Sequence, residues 1–197
     1  MKHRKNAREV ILDAAEAVVI EKGAAHLTLD AVSLKAGVSK GGLLYHFGTK
    51  SALLQAMMAR LIATLDFRTK KQLARLPETP ARKLKANILA SPLHDQRTKK
   101  ISSALLAAAS HDPELMAPAR EFRTRIFDDF TTDGELSASF IAVMTLAMEG
   151  LMLAELLGLS SSSRKEKRGI IDEILRLIDV EEARTESSES IPVRRKE

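Results

Sequence analysis

The chain has 197 residues, 45% hydrophobic and 29% charged, enough for one or two domains with a buried core. It contains no cysteine, which excludes disulfides, thiolate metal sites and cysteine nucleophiles together and is compatible with a reducing cytoplasm. Charge is unevenly spread around a net +5: residues 1–76 hold 13 lysines and arginines against 6 acidic residues, and residues 77–197 hold 18 against 20. The first third therefore suits a polyanion, either nucleic acid or an anionic membrane surface, or else presents a merely solvated basic face.

Abundant Ala and Leu with few β-branched runs predict an all-α fold, and no period-2 strand pattern occurs. The basic start, MKHRKNAREVILDAAEAV, is interrupted by Asp13 and Glu16 and is not expected to be a secretory signal, so a cytoplasmic location is expected. A first helix is predicted over 6–22, where Val10, Ile11, Ala14, Ala15, Val18 and Val19 recur near 3.6 residues, and Gly23 ends it. Thr28 caps a short second helix that ends near Ala36 and turns Leu29, Val32 and Ala36 inward.

Residues 36–50, AGVSKGGLLYHFGTK, hold four of the nine glycines. Gly37 falls where a tight turn between helices requires a positive φ. Ser39 caps a third helix over 40–47 that is anchored by Leu43 and Phe47, four residues apart on one face. Thr49 caps a long fourth helix running towards Leu76, with Pro77 and Pro80 closing it.

Further helices are predicted over 80–90, 97–110, 113–130, 134–158 and 164–179, separated by proline, glycine and serine breaks. The stretch SFIAVMTLAMEGLMLAELLGL, 139–159, is apolar nearly all round, but Glu149 and Glu155 interrupt it and favour a central bundle helix over a membrane span. RKEKRGIIDEILRLI, 164–178, is amphipathic, and the polar segment 181–197 is expected to be disordered.

Two short helices joined by a glycine turn, the second bearing small and polar residues, describe a helix-turn-helix whose second member enters the DNA major groove. Gly41 and Gly42 lack side chains there, so the helix backbone can approach base edges and the sugar-phosphate wall. Lys50 opens the fourth helix, where backbone amides and an ammonium can both face an anion. Lys40 can reach guanine O6/N7 or a neighbouring phosphate. Lys2, His3, Arg4, Lys5 and Arg8 form a basic start that can follow the backbone or a minor groove, or stay solvated.

Over residues 8–58 the chain resembles the tetracycline-repressor (TetR) family of bacterial transcription regulators. The likeness rests on the LT start, the AGVS turn, the aromatic-His-Phe run and the Thr-Lys opening of a long helix, all in fixed register. The family often has tyrosine where Leu44 stands, whereas this chain has Tyr45. The resemblance implies phosphate contacts from Thr28, Tyr45, His46 and Lys50, with Ser39, Lys40, Gly41, Gly42 and Leu44 facing the groove.

It further implies a helix-turn-helix domain over 1–52 and a C-terminal helical bundle over 53–180 used for dimerisation and ligand sensing. The two long helices at 134–158 and 164–179 would pair in a homodimer that sets two recognition helices roughly 34–36 Å apart on a near-palindromic double-stranded DNA operator. A small apolar or amphipathic effector would release it by changing the angle of the fourth helix. Met116, Phe122, Phe127, Met144, Met148 and Met152 can line an adaptable apolar pocket or serve as ordinary core, with Glu149 as a polar handle or a paired carboxylate.

His94, His111 and Asp112 lie near two turns but lack metal-ligand spacing and a fourth donor, so neither metal nor cofactor is expected. The sequence has no G-x-S-x-G, P-loop, H-E-x-x-H or dinucleotide glycine pattern, which argues against an enzyme. A helical interaction protein that keeps the fold without reading an operator is the remaining rival.

Overall fold

The computed structural model describes residues 6–93, 95–132, 136–159 and 163–189. The helices in order are α1 (Ala7–Lys22), α2 (Leu29–Ala36), α3 (Lys40–His46), α4 (Lys50–Leu73) and α5 (Arg82–Leu89). α6 (Gln96–Ala109), α7 (Ala117–Thr131), α8 (Ala138–Leu156) and α9 (Arg164–Glu189) follow. Short 3-10 turns at Ala24–His26 and Pro113–Met116 precede α2 and α7. No strand occurs among the described residues, so the fold is all-α as the composition predicts.

The chain divides into two compact units, the first made from Met1–Thr64 with Pro92–Phe122 and the second from Leu65–Ser91 with Arg123–Glu197. In the first unit α1 buries Ile11, Leu12, Ala15, Val18 and Val19 against Val32 of α2, Leu43 of α3 and Leu53, Met57 and Met58 of α4. Each fully buried aliphatic side chain contributes roughly 1.5–3 kcal/mol. Ile101 and Leu105 of α6 and Leu115 complete this core, so α6 belongs to the N-terminal unit although 81 residues separate Arg97 from Glu16.

Charges fasten the same elements. Glu16, only 7% exposed, accepts from Arg97 at 2.6 Å and faces Arg60 Nη1 at 3.5 Å. Arg60 also pairs with Asp13 and with Glu9 at 3.6 Å. Burial alone would lower the Arg60 pKa, but the Asp13 hydrogen bond and the charges of Glu16, Asp13 and Glu9 outweigh it and keep the guanidinium protonated. Ser51, near the start of α4, donates to Asp112 at 2.8 Å.

In the second unit α8 is long and apolar enough to cross a membrane by length and composition. It buries only Ile141, Met144 and Met148, and both carboxylates that interrupt it are paired: Glu149 with Arg123 at 2.7 Å and Glu155 with Lys167 at 2.6 Å. Ser137 caps α8 by accepting from Phe140 N–H at 3.2 Å, so the helix begins at Ala138; Gly134, where the predicted span opens, lies outside the described residues.

The expectation of disorder from residue 181 is corrected by α9, which continues to Glu189. Two features stabilise that extension. Arg184 returns to Glu181 three residues away, at 2.7 Å. Glu182, 8% exposed, accepts from the Ala81 N–H at 2.8 Å and from Lys85 at 2.5 Å. It thereby supplies the N-terminal cap that α5 lacks among its own side chains. Residues 190–197, with the rest of the expected tail, lie outside the described residues.

Burial pushes the Glu182 carboxyl up, but hydrogen bonds from Lys85, the Ala81 amide and Thr79 and the Lys85 charge outweigh it, leaving it below the usual carboxylate range. A folded-state pKa below the unfolded one adds stability at pH values above about 4.3, and that stability is lost as pH falls through the folded value. Glu182→Gln is therefore expected to melt earlier at neutral pH, by an amount corresponding to about 2 kcal/mol. The gap from the parent should close as both are acidified below the ordinary glutamate range. Paired melts across pH check this, and a gap that persists at acid pH would assign Glu182 a packing role instead.

Candidate nucleic-acid interface

The α2–α3 pair is built from local signals. Thr28 Oγ1 accepts from Ala31 N–H at 3.1 Å and starts α2. Gly37 ends it at φ 66°, the left-handed region, and Val38 N–H returns to the Ser33 carbonyl at 3.1 Å. Ser39 Oγ then accepts from Gly42 N–H at 3.1 Å and starts α3. α3 is pinned from below by Leu43, which is fully buried, and by Phe47 just beyond its end.

What remains outward on α3 is Lys40, Gly41, Leu44 and Tyr45, the last 85% exposed. Gly42 and His46 are half-buried. The Tyr45 and His46 rings meet edge to face, with centroids 5.2 Å apart. Thr49 Oγ1 accepts from Ala52 N–H at 3.0 Å and caps α4, leaving Lys50 exposed at its first position. The capping hydroxyls of Thr28, Ser39 and Thr49 act as acceptors, so each keeps its O–H to donate outward.

The two glycines of α3 differ. A Cβ added at Gly41 would meet nothing within 4 Å, whereas one at Gly42 would lie 3.3 Å from Ser39 Oγ, the atom that caps the helix. Neither has a positive φ. The helix itself therefore gives no reason for glycine at position 41.

Arg8, grouped by sequence with the basic start, holds its guanidinium 5.3 Å from the Phe47 ring centroid and 3.8 Å from Glu9. Lys2, His3, Arg4 and Lys5 lie outside the described residues. Lys40 Nζ sits 2.8 Å from Asp30 Oδ1, across the turn on the first turn of α2. Nothing in the sequence marks Asp30 as Lys40's partner, because positions ten apart on different helices meet only when the turn fixes the helix angle.

The apolar set proposed for an effector is split between the units. Met116 packs on the N-terminal core and Phe122 is the last residue of that unit. Phe127, Met144, Met148, Glu149 and Met152 belong to the second. Met144 and Met148 are buried, Phe127 and Met152 are half-buried, and Glu149 is engaged by Arg123. His94 lies outside the described residues, and His111 Nδ1 lies 2.9 Å from Ser110 Oγ. Among the described residues no three His, Cys, Asp or Glu side chains cluster to hold a metal.

Residues 11–57 match the family described as bacterial regulatory proteins, tetR family, and residues 81–179 match the tetracyclin repressor-like C-terminal domain. The chain is 31% identical over 109 residues to the HTH-type transcriptional regulator TtgR of Pseudomonas putida. That match covers 51% of this chain and 50% of TtgR, so the chain spans about half the length of such curated relatives. In fold it is similar to a transcriptional regulator from Rhodococcus sp. Rha1, with a TM-score of 0.71 and 21% identity over 88% of this chain and 96% of the other. It is also similar to the multidrug binding protein EbrR complexed with malachite green, with a TM-score of 0.65 and 22% identity over 86% and 98%.

Proposed function

The chain belongs to the TetR family of bacterial transcriptional regulators, a family of regulators rather than enzymes, and from that premise we propose that it is a repressor. In this reading it binds a near-palindromic duplex operator as a homodimer and leaves it when a small apolar or amphipathic effector is bound. Residues 1–52 read the DNA, and residues 53–180 dimerise and sense the ligand. The observation that carries the reading is the outward strip of α3, side-chain-free at Gly41 and flanked by Lys40, Leu44 and Tyr45. Such a strip fits against base edges in a major groove.

Phosphate contacts fall to Thr28, Tyr45, His46 and Lys50, and groove contacts to Ser39, Lys40, Gly41, Gly42 and Leu44. Lys50→Ala is expected to weaken binding to every duplex alike and to flatten the dependence of log affinity on log salt by about one unit, as loss of one phosphate contact does. Titrations of two unrelated duplexes across a salt series measure this. An unchanged slope would remove Lys50 from the contacts.

For the effector, support comes from the adaptable methionines Met144, Met148 and Met152 and from Phe127, all buried or half-buried in the second unit, and from the fold-level likeness to a protein seen with malachite green. Met116, Phe122 and Glu149 are the further candidates. Ligand and operator must then oppose each other reciprocally. The deciding experiment is selection from a random duplex pool with the whole chain. Enrichment of one short, near-palindromic sequence supports the reading, and a pool that stays random overturns it.

A further inference from the structure

Lys40 opens α3, and it is not free: its ammonium lies 2.8 Å from the Asp30 carboxylate. Both side chains are open to solvent, at 61% and 72% exposure, and a pair so exposed adds little to stability. Asp30 has an ordinary use in the first turn of α2, where a carboxylate favours the helix dipole. That use does not require it to reach across the turn to the next helix. Nor does a carboxylate so placed help a surface grip a polyanion, since it cancels the nearest cation.

Resting on the DNA-binding reading above, we propose that Asp30 determines specificity by withholding Lys40 from the phosphates and aiming it at base edges. An ammonium has three N–H donors. One engages Asp30, and the other two remain for paired acceptors such as guanine O6 and N7 in the major groove. With its charge already balanced, Lys40 releases no counterion on sequence-independent binding, so it adds to discrimination and not to general affinity. The choice between base and phosphate that the sequence left open for Lys40 is thereby made by a residue on the neighbouring helix.

The test uses the whole chain, a duplex that the parent protein selects from a random pool, and a scrambled duplex of equal length. Asp30→Asn is expected to bind the scrambled duplex more tightly, steepen the salt slope by about one unit, and lower the ratio of selected to scrambled affinity roughly tenfold. In a Lys40→Ala background the same substitution should change neither ratio nor slope, because the effect acts through the ammonium. Thermal melts of all four proteins separate binding from folding.

An unaltered ratio and slope in Asp30→Asn overturns the proposal. So does an equal shift with and without Lys40, which would make Asp30 a direct repeller of phosphate. If the parent selects no duplex, it is the DNA-binding reading itself that fails.

Discussion

Gly41→Leu is expected to fold at least as stably as the parent and to lose about a hundredfold or more of its affinity for the selected operator. The two halves of that outcome have separate causes. Position 41 is inside α3, has no positive φ and faces open space, so a side chain there meets nothing in the chain itself. Replacing an interior glycine with a good helix former should add roughly 0.5–1 kcal/mol of stability.

On DNA the same side chain would hold the backbone away from the groove floor and separate Lys40 and Leu44 from base edges. Loss of two base contacts at about 2 kcal/mol each, the middle of the usual range, corresponds to more than about a hundredfold. Gly41→Ala, being smaller, should fall between. Gly42 gives a less clean test, because its added Cβ would press on Ser39 Oγ and weaken a cap worth about 0.5–2 kcal/mol. Thermal melts and operator titrations of the Gly41 pair measure both halves. A stable leucine variant with undiminished selective binding would remove α3 as the reading element.

The parts of the molecule that the sequence announces are those whose cause lies within a few residues. Thr28, Ser39 and Thr49 each accept from an amide three positions on, and Gly37 adopts the left-handed turn, so α2, α3 and the start of α4 follow from spacing alone. The anchoring of α3 by Leu43 and Phe47 follows from a four-residue repeat. What the sequence hides is distant pairing. Glu16 with Arg97 draws α6 into the N-terminal unit, and Glu182 with the Ala81 amide turns a polar stretch that reads as disordered into the end of α9. Asp30 is hidden for the same reason, since its meeting with Lys40 exists only once α2 and α3 have been set at their angle.

Val143→Asp combined with Leu153→Asp is expected to give a folded monomer whose affinity for the full operator is about 10²–10⁴ below the parent's, the range over which linked half-sites gain from being held together. α8 carries two apolar seams. Ile141, Met144 and Met148 form the one buried within the chain. Val143, Leu146, Leu153 and Leu157 form the other, exposed by 57, 55, 46 and 55%, with exposed Gly150 between them.

The exposed positions 143, 146, 150, 153 and 157 alternate steps of three and four, the spacing by which one helix packs knobs into the holes of another. Ile170, Leu177 and Val180 of α9 are exposed in the same rhythm. The proposed pairing of α8 and α9 with their copies as a four-helix bundle would cover both seams. It would also explain Gly150, whose added Cβ would touch nothing in its own chain. Because the altered positions are open in the single chain, aspartate there should change the stability of each protomer by no more than about 0.5 kcal/mol.

Sedimentation gives the oligomeric state, and half-site against full-site duplexes give the linkage. A variant that still sediments as a dimer would place the interface elsewhere. A monomer that holds the full operator as tightly as the parent would mean that two recognition helices are not being read together.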